Sequence, residues 1–387
     1  MRLRQTEGGG VIRRLMTKCM RIFIVIMGLI LSCFPSSCAE KQTPMSYEEH
    51  AERLKQTFET ALFTLPPVKQ RHYAVRLYRV TGDKRYIYPI IFDIFITLRN
   101  LQYDERGLYD PKYASLGAAY ASDNEFMETI DQGTMHPFHP WGEEMAFFRR
   151  LCRNMNKLRQ YNLLHSTFYP AADKMLEALR AQKDKLSAFL LDRELMKTSG
   201  AQLANYVYYL YHLNVMDLRR AYLDGLEEVL MRELKDSALS DPQYNDKIYA
   251  LTHVILAASD YYQQYVDRRE FIWILDYFEQ NINTILTRTK PDVYAEVGLC
   301  FLLAKDNNNK VLEKIKSAVV SNIDAEKGMI LSVKGSDDLS KGEHRNVLAI
   351  MLLDWPEVLF QGPDLKNMPE FQNLLPIEEQ DREWISG

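Results

Sequence analysis

The sequence predicts an all-α protein: an (α/α) toroid of about a dozen helices in antiparallel hairpins, with at most a minor β element. Three observations carry this. Helix start and stop signals recur along most of the 387 residues. Amphipathic segments alternate with segments that are apolar nearly all round, and the second kind must be covered on both sides. Several segments pair at ~40-residue spacing, which is within the range of helical-hairpin repeats. A closed ring of hairpins covers its inner helices more completely than an open superhelix does.

The elements follow in order. Ser46-x-x-Glu49 is a capping box that opens a helix through about Phe63, stopped by Pro66-Pro67. His72–Val80 reads as a helix ending at Thr81-Gly82, and the apolar run Ile87–Leu101 continues the pairing. Gln102–Ala121 reads as loop, with Gly107, Pro111 and Gly117, before a second capping box at Ser122-x-x-Glu125. GTMHPFHPWG at Gly133–Gly142 is a rigid loop because Pro137 and Pro140 bracket His139. Helices follow at Glu143–Tyr161 and Ala171–Lys185. Thr198–Asn214 and Asp217–Leu234 form an antiparallel pair. Ser240-Asp241-Pro242 starts a helix that runs to about Val266, with proline at an early helical position. Asp267–Thr287, Pro291–Ala304, Asn309–Asn322 and Gly342–Trp355 complete the helical set. Met329–Val333, between Gly328 and Gly335, is the one strand-like stretch, and the last thirty residues read as loop and short turns.

The first 39 residues stand apart as a signal peptide, leaving 40–387 as a single helical domain. Ile22–Leu31 is a ten-residue apolar run preceded by Arg13, Arg14, Lys18 and Arg21. It is too short to span a bilayer, which takes ~20 residues. Two fates compete. Ser37-Cys38-Ala39 fits release into the periplasm or beyond, whereas Ile30-Leu31-Ser32-Cys33 resembles a lipobox that would place a lipid on Cys33. The segment holds six Lys/Arg and one Glu, so its loss takes the formal charge from −4 to −9. An acidic chain argues against nucleic acid or anionic lipid as the main partner, since both select basic surfaces. Cys152 and Cys300 remain after cleavage, both in apolar helical settings that suit buried thiols; export also permits a disulfide. No metal-ligand spacing, phosphate loop or nucleophile elbow occurs, so no cofactor is expected.

Polar side chains line up on the apolar helices. In Tyr249–Val266, the set Tyr249, His253, Leu256 and Asp260 shares a face. Gln202, Asn205, Tyr209 and His212 do the same in Thr198–Asn214. Glu296 lies with Asp292 and Cys300, and His344 lies beside Asn346. Facing a lumen, these groups would suit a sugar: rings stack on its C–H faces while carboxylates, amides and imidazoles bond its hydroxyls. Asp260 and Glu296 are candidate acid and base for hydrolysis. His253 and Tyr249 are the alternative pair, for abstraction and return of a proton. His139 and Trp141 in the proline-bracketed loop are candidates for a lid, and His136, His139, Glu143 and Glu144 are metal-capable without a fixed third ligand. The rival reading is a non-catalytic envelope scaffold that binds another protein.

RLYRVTGDKRY at Arg76–Tyr86 resembles the hairpin linkers of α/α-toroid proteins, whose ring is often a carbohydrate-active domain. The chain as a whole resembles an uncharacterised bacterial family with a domain of unknown function, a resemblance that implies no activity. EVLFQGP at Glu357–Pro363 resembles the cleavage site of a picornaviral 3C protease; it reads as native because an ordinary tail follows.

Overall fold

The computed structural model describes residues 45–108, 142–307 and 309–374. From Ser46 onward these belong to one compact unit. Cys33, the signal segment, the second capping box, the loop with His136, His139 and Trp141, and the side chain of Glu143 lie outside the described residues.

The fold is all-α. The helices are α1 Tyr47–Thr60, α2 Pro67–Thr81, α3 Ile87–Gly107, α4 Gly142–Gln160, α5 Ala172–Ala181 and α6 Lys183–Leu190. They continue with α7 Arg193–His212, α8 Arg219–Glu227, α9 Asp241–Ala258, α10 Ile272–Arg288 and α11 Pro291–Leu303. The last are α12 Lys310–Ser321, α13 Leu339–Leu353 and the short α14 Pro369–Gln372. A two-stranded ladder, β1 Ile323–Asp324 with β2 Met329–Ile330, is antiparallel and pairs Ile323 with Ile330.

Burial sorts the helices into two kinds. Every residue from Tyr73 to Val80 in α2 is buried, as is every residue from Val293 to Leu303 in α11. By contrast, α12 buries only Val311, Leu312, Ile315 and Val319, one stripe of an amphipathic helix. The buried helices are neighbours in sequence around the molecule: α2 packs on α13, α13 on α11, α11 on α9, α9 on α7, and α7 on α4. α3 touches both α4 and α2, so the order of neighbours returns to its start. The amphipathic helices back this series, with α10 against α9 and α11, and α12 against α11 and α13.

Small residues set the closest approaches. A methyl group at Gly298 on α11 would come within 2.5 Å of Leu352 on α13. One at Gly200 on α7 would meet Ala250 on α9 at 2.9 Å. Just before Gly200, Ser199 leaves helical geometry (φ −143°), and the Gly200 carbonyl accepts a hydrogen bond from the Tyr222 hydroxyl at 2.6 Å. The Gly200 carbonyl beside the kink thus has a side-chain partner.

Several boundaries differ from the sequence reading. α2 begins five residues before His72, because Pro67 sits at its first position, where its missing N–H costs nothing. Gln102–Gly107 is helix, not loop: α3 runs on to bury Asp104 against Arg150 of α4. The segment from Ala171 breaks at Gln182 into α5 and α6.

The largest difference is at α9, which stops at Ala258 rather than Val266. Asp260, Tyr261 and Tyr262 follow with φ of 50°, 56° and 71°, three successive left-handed residues, none of them glycine. Such backbone costs about 1–2 kcal/mol per residue, so its surroundings must hold it. They do. The Ser259 hydroxyl accepts from the Tyr262 N–H at 2.9 Å, and the Gln263 amide donates to the Asp260 carbonyl at 2.8 Å. Arg79 of α2 donates to the Tyr261 carbonyl at 3.0 Å.

A strap from the EVLFQGP stretch secures the same knuckle. The Phe360 N–H donates to the Arg79 carbonyl at 2.8 Å, and the Gly362 N–H donates to the Gln263 side-chain oxygen at 2.8 Å. Gly362 and Pro363 are buried, while Gln361 is exposed. Cys152 on α4 and Cys300 on α11 are both buried free thiols, and burial raises each above its usual range. Among the described residues no helix is long and apolar enough to cross a membrane.

Candidate functional site

Residues of the buried helices line a cavity of about 740 Å³. That is within the ~300–1,000 Å³ of ordinary small-ligand sites. Of the residues singled out in the sequence, Gln202, Asn205, Tyr209, Tyr249, His253 and His344 line it. Asp260, Glu296, His212 and Asn346 do not. Tyr261 and Tyr262, swung round by the left-handed knuckle, add two rings to the wall.

His253 is the centre of the wall. Its ring stands edge-on to Tyr249, with centroids 4.2 Å apart. Its Nδ1 is 3.3 Å from the Tyr261 hydroxyl and 3.3 Å from the Asn205 side-chain oxygen. The Tyr261 hydroxyl also donates to that oxygen. Behind the wall, Nε2 faces Glu296 across 3.8 Å. Burial holds His253 down to about 4, so the imidazole is neutral at pH 7. At 3.8 Å Nε2 has no hydrogen-bond partner, and the Tyr261 proton goes to Asn205, so Nδ1 is the ring nitrogen set to donate, to the Asn205 oxygen. Burial raises the phenols of Tyr249 and Tyr261 well above their usual value, so both are proton donors rather than phenolates.

Glu296 is thus not a wall carboxylate. It is 1% exposed and accepts from the Thr252 hydroxyl at 2.7 Å. Burial would push its proton affinity up, but His253, His344 and Thr252 together outweigh burial and hold it below the usual carboxylate range. Asp260 is corrected more strongly: it lies off the helical stripe, in the knuckle. Arg159 grips both its oxygens at 2.7 and 2.6 Å, and Gln160 donates at 2.8 Å. Two carboxylates flanking a bond, as hydrolysis would need, are therefore not formed by Asp260 and Glu296. His212 packs between Tyr208 and Tyr211. Asn346 instead pins the β ladder: it accepts from the Ile330 N–H at 2.8 Å and donates to the Ile330 carbonyl at 3.1 Å.

Two residues that the sequence reading did not single out extend the cluster. His72 of α2 lines the cavity, and its Nδ1 is 2.7 Å from Glu343 of α13. Its Nε2 is 3.3 Å from His344 Nδ1, and His344 Nε2 in turn faces Glu296 across 3.7 Å. The result is a line of carboxyls and imidazoles: Glu343, His72, His344, Glu296, His253. An exposed pair of this kind would ionise; here burial dominates both partners. It lowers His72 well below its usual value and raises Glu343 to about 7, which favours a neutral acid hydrogen-bonded to a neutral imidazole. The signal in sequence was faint: His72 opens a buried run, and Glu343 is a lone acid on an apolar helix. Among the described residues no group of three or more His, Cys, Asp or Glu is placed to hold a metal ion.

An all-helical protein with an aromatic, histidine-lined cavity is the class that this fold and site define. Residues 47–381 match a family described as a domain of unknown function, DUF3541, and the chain belongs to it. No curated protein and no solved structure matches the chain.

Proposed function

We propose that the protein is an exported α/α toroid whose cavity binds a glycan chain and cleaves it by proton transfer between His253 and Tyr261. The observation that carries the reading is the contact of these two groups on the cavity wall, with Glu296 behind the imidazole and Asn205 beside the hydroxyl. An imidazole held by an amide and touching a hydroxyl, with a carboxylate nearby, is an arrangement that can move protons. Tyr206, Tyr209, Tyr249 and Tyr262 supply ring surface for sugar C–H faces, and Gln202 and Asn205 supply amides for hydroxyls. The cyclic order of helix neighbours supports a closed ring, and the charged, apolar opening segment supports export. Tyr261 rather than Tyr249 is the hydroxyl partner of His253, because Tyr249 offers His253 its ring rather than its hydroxyl.

The test is a panel of oligosaccharides and envelope glycans, scored by thermal shift and by product analysis, on residues 40–387 and its variants. His253→Ala and Tyr261→Phe are each expected to lower turnover about 10²–10⁴-fold while glycan binding persists. Wild-type protein that binds and cleaves nothing in the panel would end the reading.

One observation favours the scaffold alternative. Tyr88, Phe92 and Phe95 form a row on the outside of α3 with 57%, 54% and 38% exposure. If that row is the functional surface, polar substitutions there abolish partner capture and leave the cavity's ligands untouched.

A further inference from the structure

We propose that the ligand of the cavity is a phosphorylated glycan, its phosphate groups held by a basic face that α2 and α4 present and its sugar rings by the tyrosines of α7 and α9. The inference rests on the glycan reading and names the class of glycan; it does not depend on cleavage. The chain is acidic, with a formal charge of −4, yet seven Lys/Arg side chains line the cavity against two acidic ones, Asp246 and Asp292. Acids behind the wall do not cancel them. Asp93 serves both Arg71 (3.5 Å) and Lys157 (3.1 Å), Glu296 faces His253 and His344, and Glu343 lies against His72. Asp260 is taken by Arg159, which is not on the wall. With Asp93, Glu296 and Glu343 all set against the lining, its cations are still in excess. Low-dielectric walls focus such a field into the space they enclose.

The charge is not spread evenly. Lys69, Arg76 and Arg79 share one face of α2 and extend about 15 Å along it. Arg153 and Lys157 share a face of α4. α2 and α4 stand on either side of α3, which packs against both. Lys290, exposed just before α11, adds a cation from a third element. The neutral surface comes from elsewhere: Gln202, Asn205, Tyr206 and Tyr209 from α7, and Tyr249 from α9. A ligand that fits both surfaces carries anionic groups along one edge and C–H faces along another, which describes a substituted sugar chain rather than a small free anion. Phosphate, not carboxylate, follows from what the guanidinium groups have left to give. A planar carboxylate is best matched by the open fork of an arginine. Arg79 spends its fork on the Tyr261 and Gly362 carbonyls at 3.0 and 3.4 Å, and Arg76 is engaged by the His72 carbonyl at 3.3 Å and by Tyr262. These carbonyls leave the positive charge in place but not the geometry. What the wall offers is field, the ammonium groups of Lys69 and Lys290, and the amides of Asn156 and Gln202. A tetrahedral phosphate accepts from several directions at once and carries about two charges, so it uses such a set more fully than a carboxylate does.

The deciding experiment is titration calorimetry of the protein with oligosaccharides phosphorylated on a primary hydroxyl and with the same preparation after phosphatase treatment. An oligouronate, a sulfated oligosaccharide and inorganic phosphate are run beside them, each at low and at high salt. The phosphorylated form should bind at least about tenfold tighter than its dephosphorylated form, and added salt should shrink that preference. Lys69 and Lys290 are not buried. Lys69→Gln and Lys290→Gln should each weaken binding of the phosphorylated form about twofold to fivefold and leave the dephosphorylated sugar unaffected. Equal binding of the two forms overturns the phosphate inference and leaves the glycan reading standing. An oligouronate or sulfated sugar that binds as tightly as the phosphorylated one does the same. Inorganic phosphate that binds as tightly as the phosphorylated sugar takes the sugar out of the recognition and overturns both. If neither form of the sugar binds, the glycan reading falls and this inference with it. A preference that survives undiminished in both folded variants overturns the basic face as its source. The comparison of sugars uses wild-type protein, so it decides even if a variant misfolds.

Discussion

At the scale of single residues, the site is governed by burial more than by pairing. His253 sits near Glu296, yet desolvation wins and holds the ring neutral down to about pH 4. An ordinary histidine base would fail near pH 6.5. Turnover that depends on His253 is therefore expected to persist on the acid side until about pH 4, which a pH–rate profile of the cleaving reaction checks. Glu343 gives a stability test with a definite sign. Its carboxyl is raised to about 7 in the folded chain, so the native state binds the extra proton between its ordinary value and about 7. Its contribution is complete below that ordinary value and is lost as pH rises through about 7. Glu343→Gln should remove this loss, so that urea denaturation at a series of pH values shows the variant gaining on wild type toward neutral pH. Buried histidines act in the opposite sense, losing stability as pH falls, which is why the comparison must be variant against wild type. At this scale the sequence was half legible. His253 and Tyr249 were found because they share one face of an apolar helix, and Asn205 because it falls on the polar stripe of a second. His72, Glu343 and Tyr261 were not, because their roles depend on partners more than 200 residues away or on backbone that no periodicity encodes.

At the scale of elements, the most informative failure is the end of α9. Nothing in Ser259–Val266 is glycine or proline, so the apolar pattern read as continuing helix. What stops it is local competition, with the Ser259 hydroxyl capturing the Tyr262 N–H, and distant support from Arg79 and Gln263. The consequence is functional: on a continued helix Tyr261 would fall about 80° of arc beyond a two-turn repeat from His253 and would not share its stripe. Capping signals fared better. Ser46 with Glu49 forms both bonds of its capping box, as does Ser240 with Gln243, the side-chain pairing that marks a helix start. Between elements, the contact of α11 with α13 depends on Gly298. Gly298→Ala would drive a methyl into Leu352, and a loss of about 1–3 kcal/mol is expected from overpacking, measured as a lowered denaturation midpoint with an unchanged slope.

At the scale of the whole molecule, alternation of amphipathic and fully apolar helices was the legible feature, and it accounts for the two kinds of helix seen. The charge of the cavity, lined by seven Lys/Arg side chains and two Asp, was not legible. Net charge is a sum over surface and interior, and an acidic exterior concealed the basic lining. The strap across the knuckle bears on stability as well. Gly362, at the Gln361–Gly362 bond of the 3C-like sequence, is buried and hydrogen-bonded through its N–H, and its carbonyl accepts from Arg79 at 3.4 Å. The folded chain should resist 3C protease and become susceptible near its denaturation midpoint, read by electrophoresis as loss of intact protein.

The two thiols have a further use. Cys152 lies on α4 and Cys300 on α11, two helices that each give residues to the cavity wall, and neither is bonded to the other or open to solvent. Each wall thus carries its own native chemical tag. An alkylating reagent added to the folded chain can react only as fast as that wall admits it, so peptide mapping of the two adducts would time the breathing of two sides of the cavity separately, with no foreign probe introduced.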